Sequence, residues 1–89
     1  MRRHDEGGTA MLTRDLEQAR YEAHLADIRQ FFEKEAAPGD TVFLAAAARY
    51  LGIAPVTLLD IKDFPAIKVG GRYKVSKVGL AKWLAMAES

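Results

Sequence analysis

The sequence contains no cysteine, and this absence excludes several kinds of chemistry. A chain without cysteine forms no disulfide framework, offers no thiol nucleophile and builds no thiolate metal site, which suits a reducing compartment. No segment approaches the roughly 18 apolar residues that cross a bilayer, and charged residues and glycines follow Met1 in place of a signal-peptide apolar core. We therefore predict a soluble, cytoplasmic protein without a membrane partner.

Motifs for catalysis and for metal or cofactor binding are also lacking. The sequence has no paired carboxylates, serine–histidine pair or phosphate-binding loop. His4 and His24 are distant in sequence, and the near neighbours of His24 are Arg20 and Asp27, so a metal site is not indicated. Gly70-Gly71 is not part of a dinucleotide-binding pattern, which needs a buried strand, a glycine turn and a helix. We predict a protein that is not an enzyme.

The net charge is small but is unevenly distributed along the chain. With 13 Lys and Arg against 12 Asp and Glu, the net charge is +1. Residues 1–40 carry 6 basic and 9 acidic side chains, a charge of −3, whereas residues 41–89 carry 7 basic and 3 acidic side chains, a charge of +4. Residues 68–82 contain no acid, and their basic residues are Lys68, Arg72, Lys74, Lys77 and Lys82. Such one-sided charge suits a phosphate backbone.

The N-terminal half is predicted to contain a tail and one long helix. Residues 1–10 are polar and without periodicity, which is typical of a disordered tail. Residues 11–38 are predicted to form a helix that starts after Thr13 as N-cap and ends near Ala36, before Pro38-Gly39. Residues 40–89 then form the one small domain that the 49% hydrophobic content can support.

The long helix has two apolar faces, each of which needs a partner. One face carries the larger side chains Tyr21, Leu25, Ile28 and Phe32, and the other carries Leu12, Leu16, Ala19, Ala23 and Ala26. We expect the larger face to pack on the C-terminal domain. The smaller face has two interpretations, which are helix propensity on a solvated surface and a close seam with a second copy of the chain.

The C-terminal half begins with two short predicted helices. The first covers residues 45–51 and is stopped by Gly52, and the second begins at Pro55 and ends before Phe64-Pro65. Two short helices joined by a three-residue turn are typical of a helix-turn-helix.

A hairpin and a last helix complete the predicted domain. Residues 66–69 and 72–75 alternate apolar and polar residues, and Gly70-Gly71 supplies the positive φ angles of a two-residue turn. The last helix starts after Ser76 as N-cap, with Trp83 predicted to be the central core residue. Its other predicted buried residues are Val78, Leu80 and Leu84.

This succession of motifs resembles a known family. The motifs are residues 47–53 (AARYLGI), Thr57-Leu58, residues 65–75 (PAIKVGGRYKV) and Leu80-x-x-Trp83-Leu84. Together they are similar to the MerR-type winged helix-turn-helix of small excisionase-like proteins, over about half of the chain. The resemblance implies a mostly α fold with a small β-hairpin wing, here preceded by the long helix. It also implies a DNA-binding protein of recombination directionality or transcriptional regulation, without a cofactor.

The resemblance implies that residues 55–63 enter the major groove and that the loop around Gly70-Gly71-Arg72 lies against the neighbouring backbone or minor groove. The predicted DNA-binding residues are Arg49, Thr57, Lys62, Lys68, Arg72, Lys74 and Lys77. Arg72 is the favoured phosphate contact because it directly follows the turn. For Arg49, a contact with backbone phosphate and a role in solubility are equal alternatives. Tyr73 is predicted to pack in the core, because it alternates with Arg72 and Lys74 along the strand.

The predicted partner is double-stranded DNA, with a recombinase or a second copy of the chain as further partners. An alternative function is a protein–protein interaction module that keeps the winged helix-turn-helix fold without reading DNA. The mostly apolar second helix and the acidic N-terminal half favour that alternative. The hairpin lysines have a second explanation as well, because lysine on an edge strand discourages sheet-to-sheet aggregation.

Overall fold

The computed structural model describes residues 2–35, 37 and 39–87, with side chains described from residue 15 onward. The chain is mostly helical and has one small antiparallel sheet of three strands. In chain order the elements are α1 (Arg2–Lys34), β1 (Thr41–Phe43), α2 (Leu44–Leu51), α3 (Pro55–Asp60), β2 (Ala66–Val69), β3 (Arg72–Ser76) and α4 (Lys77–Ala87). Over the described residues, none of these helices is long and apolar enough to cross a membrane.

Helix α1 begins well before the predicted N-cap. It is continuous from Arg2, so the predictions of a disordered tail and of a helix start at Thr13 were wrong for the described residues. Extending a helix by one residue costs much less than nucleating one, so α1 can continue through Gly7-Gly8 and past Thr13. The remaining residues of these predictions, Met1, Ala36 and Pro38, lie outside the described part of the chain.

The two apolar faces of α1 have different surroundings. Leu25, Ile28 and Phe32 are buried in the core, and Tyr21 packs against it, as the sequence predicts. The smaller face is exposed along Leu16, Ala19, Ala23 and Ala26, while the side chain of Leu12 lies outside the described set. The exposed face agrees with both interpretations, so a seam with a second copy stays a prediction.

The sheet contains a strand that the sequence analysis does not predict. Strand β1 pairs antiparallel with β3, with Val42 opposite Val75, and β2 pairs with the other side of β3. The resulting strand order is β1-β3-β2. A strand of three residues is too short to show a period of two, and its pairing partner lies more than thirty residues later in the chain. Tertiary pairing, and not local propensity, therefore defines β1.

Helices α2 and α3 are joined by three residues, 52–54, as predicted. Gly52, at φ 71°, ends α2, and its amide donates a hydrogen bond of 2.8 Å to the Ala48 carbonyl. Helix α3 is shorter than the predicted segment 55–63. The Phe64 amide donates to the Ile61 carbonyl at 3.2 Å, and Asp63 adopts φ 72°, the positive angle of a type II turn. The helix itself ends at Asp60, because Ile61 is already extended at φ −78° and ψ 121°.

The hairpin and the start of α4 agree with the sequence analysis. Gly70 and Gly71 have φ of 58° and 86°, as a two-residue hairpin turn of type I′ requires. Strand β3 continues to Ser76, one residue beyond the prediction. The Ser76 Oγ accepts a hydrogen bond of 3.0 Å from the Gly79 amide, which confirms Ser76 as the cap of α4.

Trp83 is not the central core residue, so that prediction was wrong. Its ring is half-buried and meets the Phe64 ring edge-on, with the two ring centroids 5.1 Å apart. The largest fully buried side chains are Phe32, Ile28, Leu58, Leu80 and Val75. Of the other predicted α4 core residues, Leu80 is buried, while Val78 and Leu84 are half-buried. A large indole is seldom enclosed completely in so small a domain.

Candidate nucleic-acid interface

The strand register divides the hairpin side chains between two faces of the sheet. Residues directly opposite each other on paired strands point to the same face. Val69 lies opposite Arg72, and Lys74 lies between Ile67 on β2 and Phe43 on β1. We call this surface the outer sheet face, and it consists of Phe43, Ile67, Val69, Arg72 and Lys74. The core face carries Val42 and Val75, which are buried.

The outer sheet face combines exposed apolar side chains with two cations. Phe43, Ile67 and Val69 are 47%, 61% and 54% exposed. The Arg72 guanidinium and the Lys74 ammonium each lie 5.4 Å from the centroid of the Phe43 ring. Cation–ring contacts near the protein surface stabilise by about 0.5–1 kcal/mol each and leave the positive charge in place. Within the described residues, neither cation forms an ion pair with a carboxylate.

Lys68 is separated from the other hairpin cations. It lies opposite Tyr73, and therefore on the other side of the hairpin from Arg72 and Lys74. Its ammonium is 5.8 Å from the centroid of the Tyr73 ring. Tyr73 itself packs against the core, as predicted. The three predicted DNA-binding residues of the hairpin, Lys68, Arg72 and Lys74, therefore do not form a single surface.

Lys77 is buried, and the structure contradicts its predicted role as a phosphate contact. Its side chain is only 6% exposed, and its Nζ donates a hydrogen bond of 2.6 Å to the Ala37 carbonyl. The same ammonium lies 5.7 Å from the centroid of the Phe32 ring. The Lys77 amide also donates to the Asp40 carbonyl at 2.9 Å. Lys77 therefore fastens the start of α4 to the segment that follows α1.

Two polar contacts join α2 to α1 and to Glu35, the residue that directly follows α1. The Arg49 Nη2 donates to the Glu35 Oε1 at 2.8 Å, in an ion pair whose side chains are both exposed. The Tyr50 hydroxyl donates to the Asp27 carboxylate at 2.5 Å. Burial, followed by that hydrogen bond and the carboxylate charge, raises the pKa of Tyr50 above its usual range. Arg49 remains at the surface, but it already has an acidic partner.

Helix α3 exposes few groups that favour DNA. Thr57 is exposed on the helix, and Lys62 is exposed in the turn after it. The other outward side chains include Val56 and Leu59, which are 68% and 41% exposed, and Asp60. Leu58 is buried and attaches α3 to the core. The predicted contacts at Thr57 and Lys62 are accessible, but α3 itself contains no cation.

A groove that the sequence analysis does not predict lies beside Phe43. Phe43, Val42 and Ala46 supply apolar walls, while Arg49 and Lys74 lie on its borders. Its volume is about 260 Å³. The groove is formed by α1, β1, α2 and β3, which are distant in sequence. No local signal in the sequence indicates this groove, because the exposure of Phe43 depends on the pairing of β1 with β3.

Comparisons of the chain with protein-family models, curated proteins and solved structures give no match. Within the described part of the chain, no group of three or more His, Cys, Asp or Glu side chains is arranged to hold a metal ion. The candidate interface must therefore be judged by the geometry and charge of its own residues.

Proposed function

We propose that the protein binds double-stranded DNA and that α2, α3 and the β2–β3 hairpin act as a winged helix-turn-helix. The observation that carries this proposal is the pair of cations on the outer sheet face directly after a tight turn, of which Arg72 is exposed and Lys74 is half-buried. Lysine and arginine contacts with phosphates supply most of the affinity for DNA of any sequence. An unpaired cationic surface on a short hairpin fits that role.

The order of the elements supports the same proposal. Two short helices separated by residues 52–54 come before the hairpin, as in a winged helix-turn-helix. Thr57 and Lys62 add a hydroxyl and an ammonium near the second helix, whereas Asp60 repels phosphate. We therefore expect binding that depends strongly on salt and discriminates weakly between sequences.

A role in recombination directionality or transcriptional regulation follows from the resemblance to excisionase-like proteins, and we include it in the proposal. The exposed smaller face of α1, which contains Leu16 and Ala23, would then contact a recombinase or a second copy of the chain. A helix that projects an apolar face into solvent is suited to such a contact.

A second candidate function is protein recognition without DNA binding. Its supporting observation is the exposure of Val56 and Leu59 on α3, where a DNA-reading helix would present polar or basic side chains. Apolar side chains on an exposed helix face are more typical of an interface with another protein.

The deciding experiment measures the binding of a fluorescent random-sequence duplex over a series of salt concentrations. The variant Arg72→Ala/Lys74→Ala is compared with wild type and with Lys34→Ala/Lys82→Ala, which removes the same charge from exposed positions elsewhere. Loss of two phosphate contacts should reduce the salt slope by about 2 and the affinity by about tenfold or more, while the control changes little.

Equal affinities for the two double variants would contradict the role of the hairpin. If the wild type fails to bind the duplex even at low salt, the protein-recognition function is favoured, and Val56 and Leu59 become the residues to mutate.

A further inference from the structure

We propose that the outer sheet face also binds single-stranded nucleic acid, with an unpaired base stacked on Phe43 and the adjacent phosphates bound by Arg72 and Lys74. This site goes beyond the proposed function, because it requires no duplex and assigns a role to a ring that duplex binding does not use. It rests on the exposure of Phe43, on the position of the cations and on the groove next to the ring.

The first support is the outward position of Phe43. Val42, its neighbour in β1, is buried, and the alternation of the strand turns Phe43 to the opposite face. Nearly half of the Phe43 side chain is exposed, beside the more exposed Ile67 across β3. An exposed aromatic ring on a sheet is the kind of platform on which proteins stack bases of single strands.

The second support is the charge around the ring. Arg72 and Lys74 approach Phe43 to the same distance, 5.4 Å from the ring centroid, and the carboxylate that lines the adjacent groove, that of Glu35, is paired with Arg49. Because cation–ring contacts near the protein surface are weak, both side chains can turn toward phosphates when a base covers the ring. An aromatic ring flanked by cations matches the alternation of base and phosphate along a single strand.

The third support is the groove that continues from Phe43 toward α2. Its volume of about 260 Å³ is far above the roughly 10–15 Å³ that a single water molecule needs, so it has space for a planar ring. Arg49 borders the groove and is held by Glu35 in an exposed ion pair. An exposed pair of this kind contributes little, so Arg49 can exchange Glu35 for a phosphate.

Unpaired bases distinguish this site from the duplex interface. In a duplex each base is stacked between its neighbours, and its ring faces are not accessible to a side chain. Phe43 should therefore contribute to the binding of a single strand and not to that of a duplex. Arg72 and Lys74 contribute to both ligands, because both have phosphates.

The test measures fluorescence anisotropy of a labelled oligothymidylate, which forms no hairpins, and of a labelled duplex, at low salt with the full chain. Phe43→Ala removes the ring, Phe43→Leu keeps an apolar side chain without a ring, and Phe43→Trp keeps a ring. Ile67→Ala is the matched control, because it shortens another exposed apolar side chain of the same face. Circular dichroism checks that each variant is folded.

We expect Phe43→Ala and Phe43→Leu to weaken oligothymidylate binding about 5- to 100-fold, as removal of one stacking ring does, and Phe43→Trp to retain it. Ile67→Ala should change it by less than about threefold, and all four variants should bind the duplex within about twofold of wild type.

Wild-type affinity of Phe43→Leu for the single strand would overturn the proposal, because an apolar contact without a ring would then suffice. Absence of oligothymidylate binding by the wild type would also overturn it and would assign the exposed apolar surface to a protein partner. A wild type that binds the single strand through Phe43 but does not bind the duplex would support this site and contradict the proposed function. The reverse pattern would support duplex binding alone.

Discussion

The two faces of the three-stranded sheet differ sharply although they are built from alternating residues of the same strands. On the core face, Val42 and Val75 are buried against the helices. On the outer face, Phe43 is partly exposed beside Lys74, which follows Tyr73 and precedes Val75 in the chain. Neighbouring residues of β3 therefore have different roles, because Val75 packs in the core whereas Lys74 is on the face that is open to a ligand.

The lysines of residues 68–82, a segment without acidic residues, also differ in their surroundings. Lys74 lies on the outer face, Lys68 lies on the other side of the hairpin, and Lys77 is buried beneath the segment that follows α1. These residues are close in sequence and identical in charge. Because their surroundings differ, a variant of one lysine can serve as the control for a variant of another.

The largest effect is expected from a carboxylate placed on the core face. Val75→Asp should leave the chain largely unfolded, because an unpaired buried charge costs about 3–5 kcal/mol, close to the whole stability of a small domain. Lys74→Asp, one residue away on the outer face, should remain folded. Thermal unfolding followed by circular dichroism measures both. Similar melting temperatures for the two variants would contradict the assignment of the faces.

A smaller loss of stability is expected at Lys77. Lys77→Met keeps the apolar stem but removes the donor to the Ala37 carbonyl, so it should lower the free energy of unfolding by about 1–3 kcal/mol. Lys82→Met, at an exposed position of the same helix, should change it by less than about 0.5 kcal/mol. Urea denaturation gives both values. A folded Lys77→Met protein with strongly weakened DNA binding would restore Lys77 as a phosphate contact.

The two sides of the hairpin can be compared directly in DNA binding. Arg72→Ala should reduce the salt slope of duplex binding by about 1, as expected for one lost phosphate contact, whereas Lys68→Ala should change it less. Both variants remove one positive charge from an exposed position, so they are matched controls for each other. A larger effect of Lys68→Ala would move the interface to the Tyr73 side of the hairpin.

The smallest effect is expected at the exposed ion pair between α2 and Glu35, the residue that follows α1. Arg49→Ala should lower the free energy of unfolding by about 0.2–1 kcal/mol, because solvent screens the interaction with Glu35. A double-mutant cycle with Glu35→Ala isolates the coupling between the two charges. A coupling of more than about 2 kcal/mol would mean that the pair holds α2 in place and is not free to exchange partners.

Much of the local structure was predictable because it depends on neighbouring residues. Gly52 ends α2, Gly70 and Gly71 form the hairpin turn, and Ser76 caps α4, each as its residue type indicates. The candidate interface was predictable in part, since Arg72 and Lys74 lie on the same face of the hairpin and both approach Phe43. Phe43 was not identified, because its exposure depends on a strand pairing with no local signal.

Residue type and short spacing are enough to specify the turns, the cap, the alternation of β2 and β3 and the cluster of positive charge. Long-range packing is needed for β1 to join the sheet, for Lys77 to be buried and for Trp83 to stay half-buried beside Phe64. Those outcomes depend on which distant segments pack together. Burial and strand pairing are properties of the assembled fold, and a local pattern in the chain does not contain them.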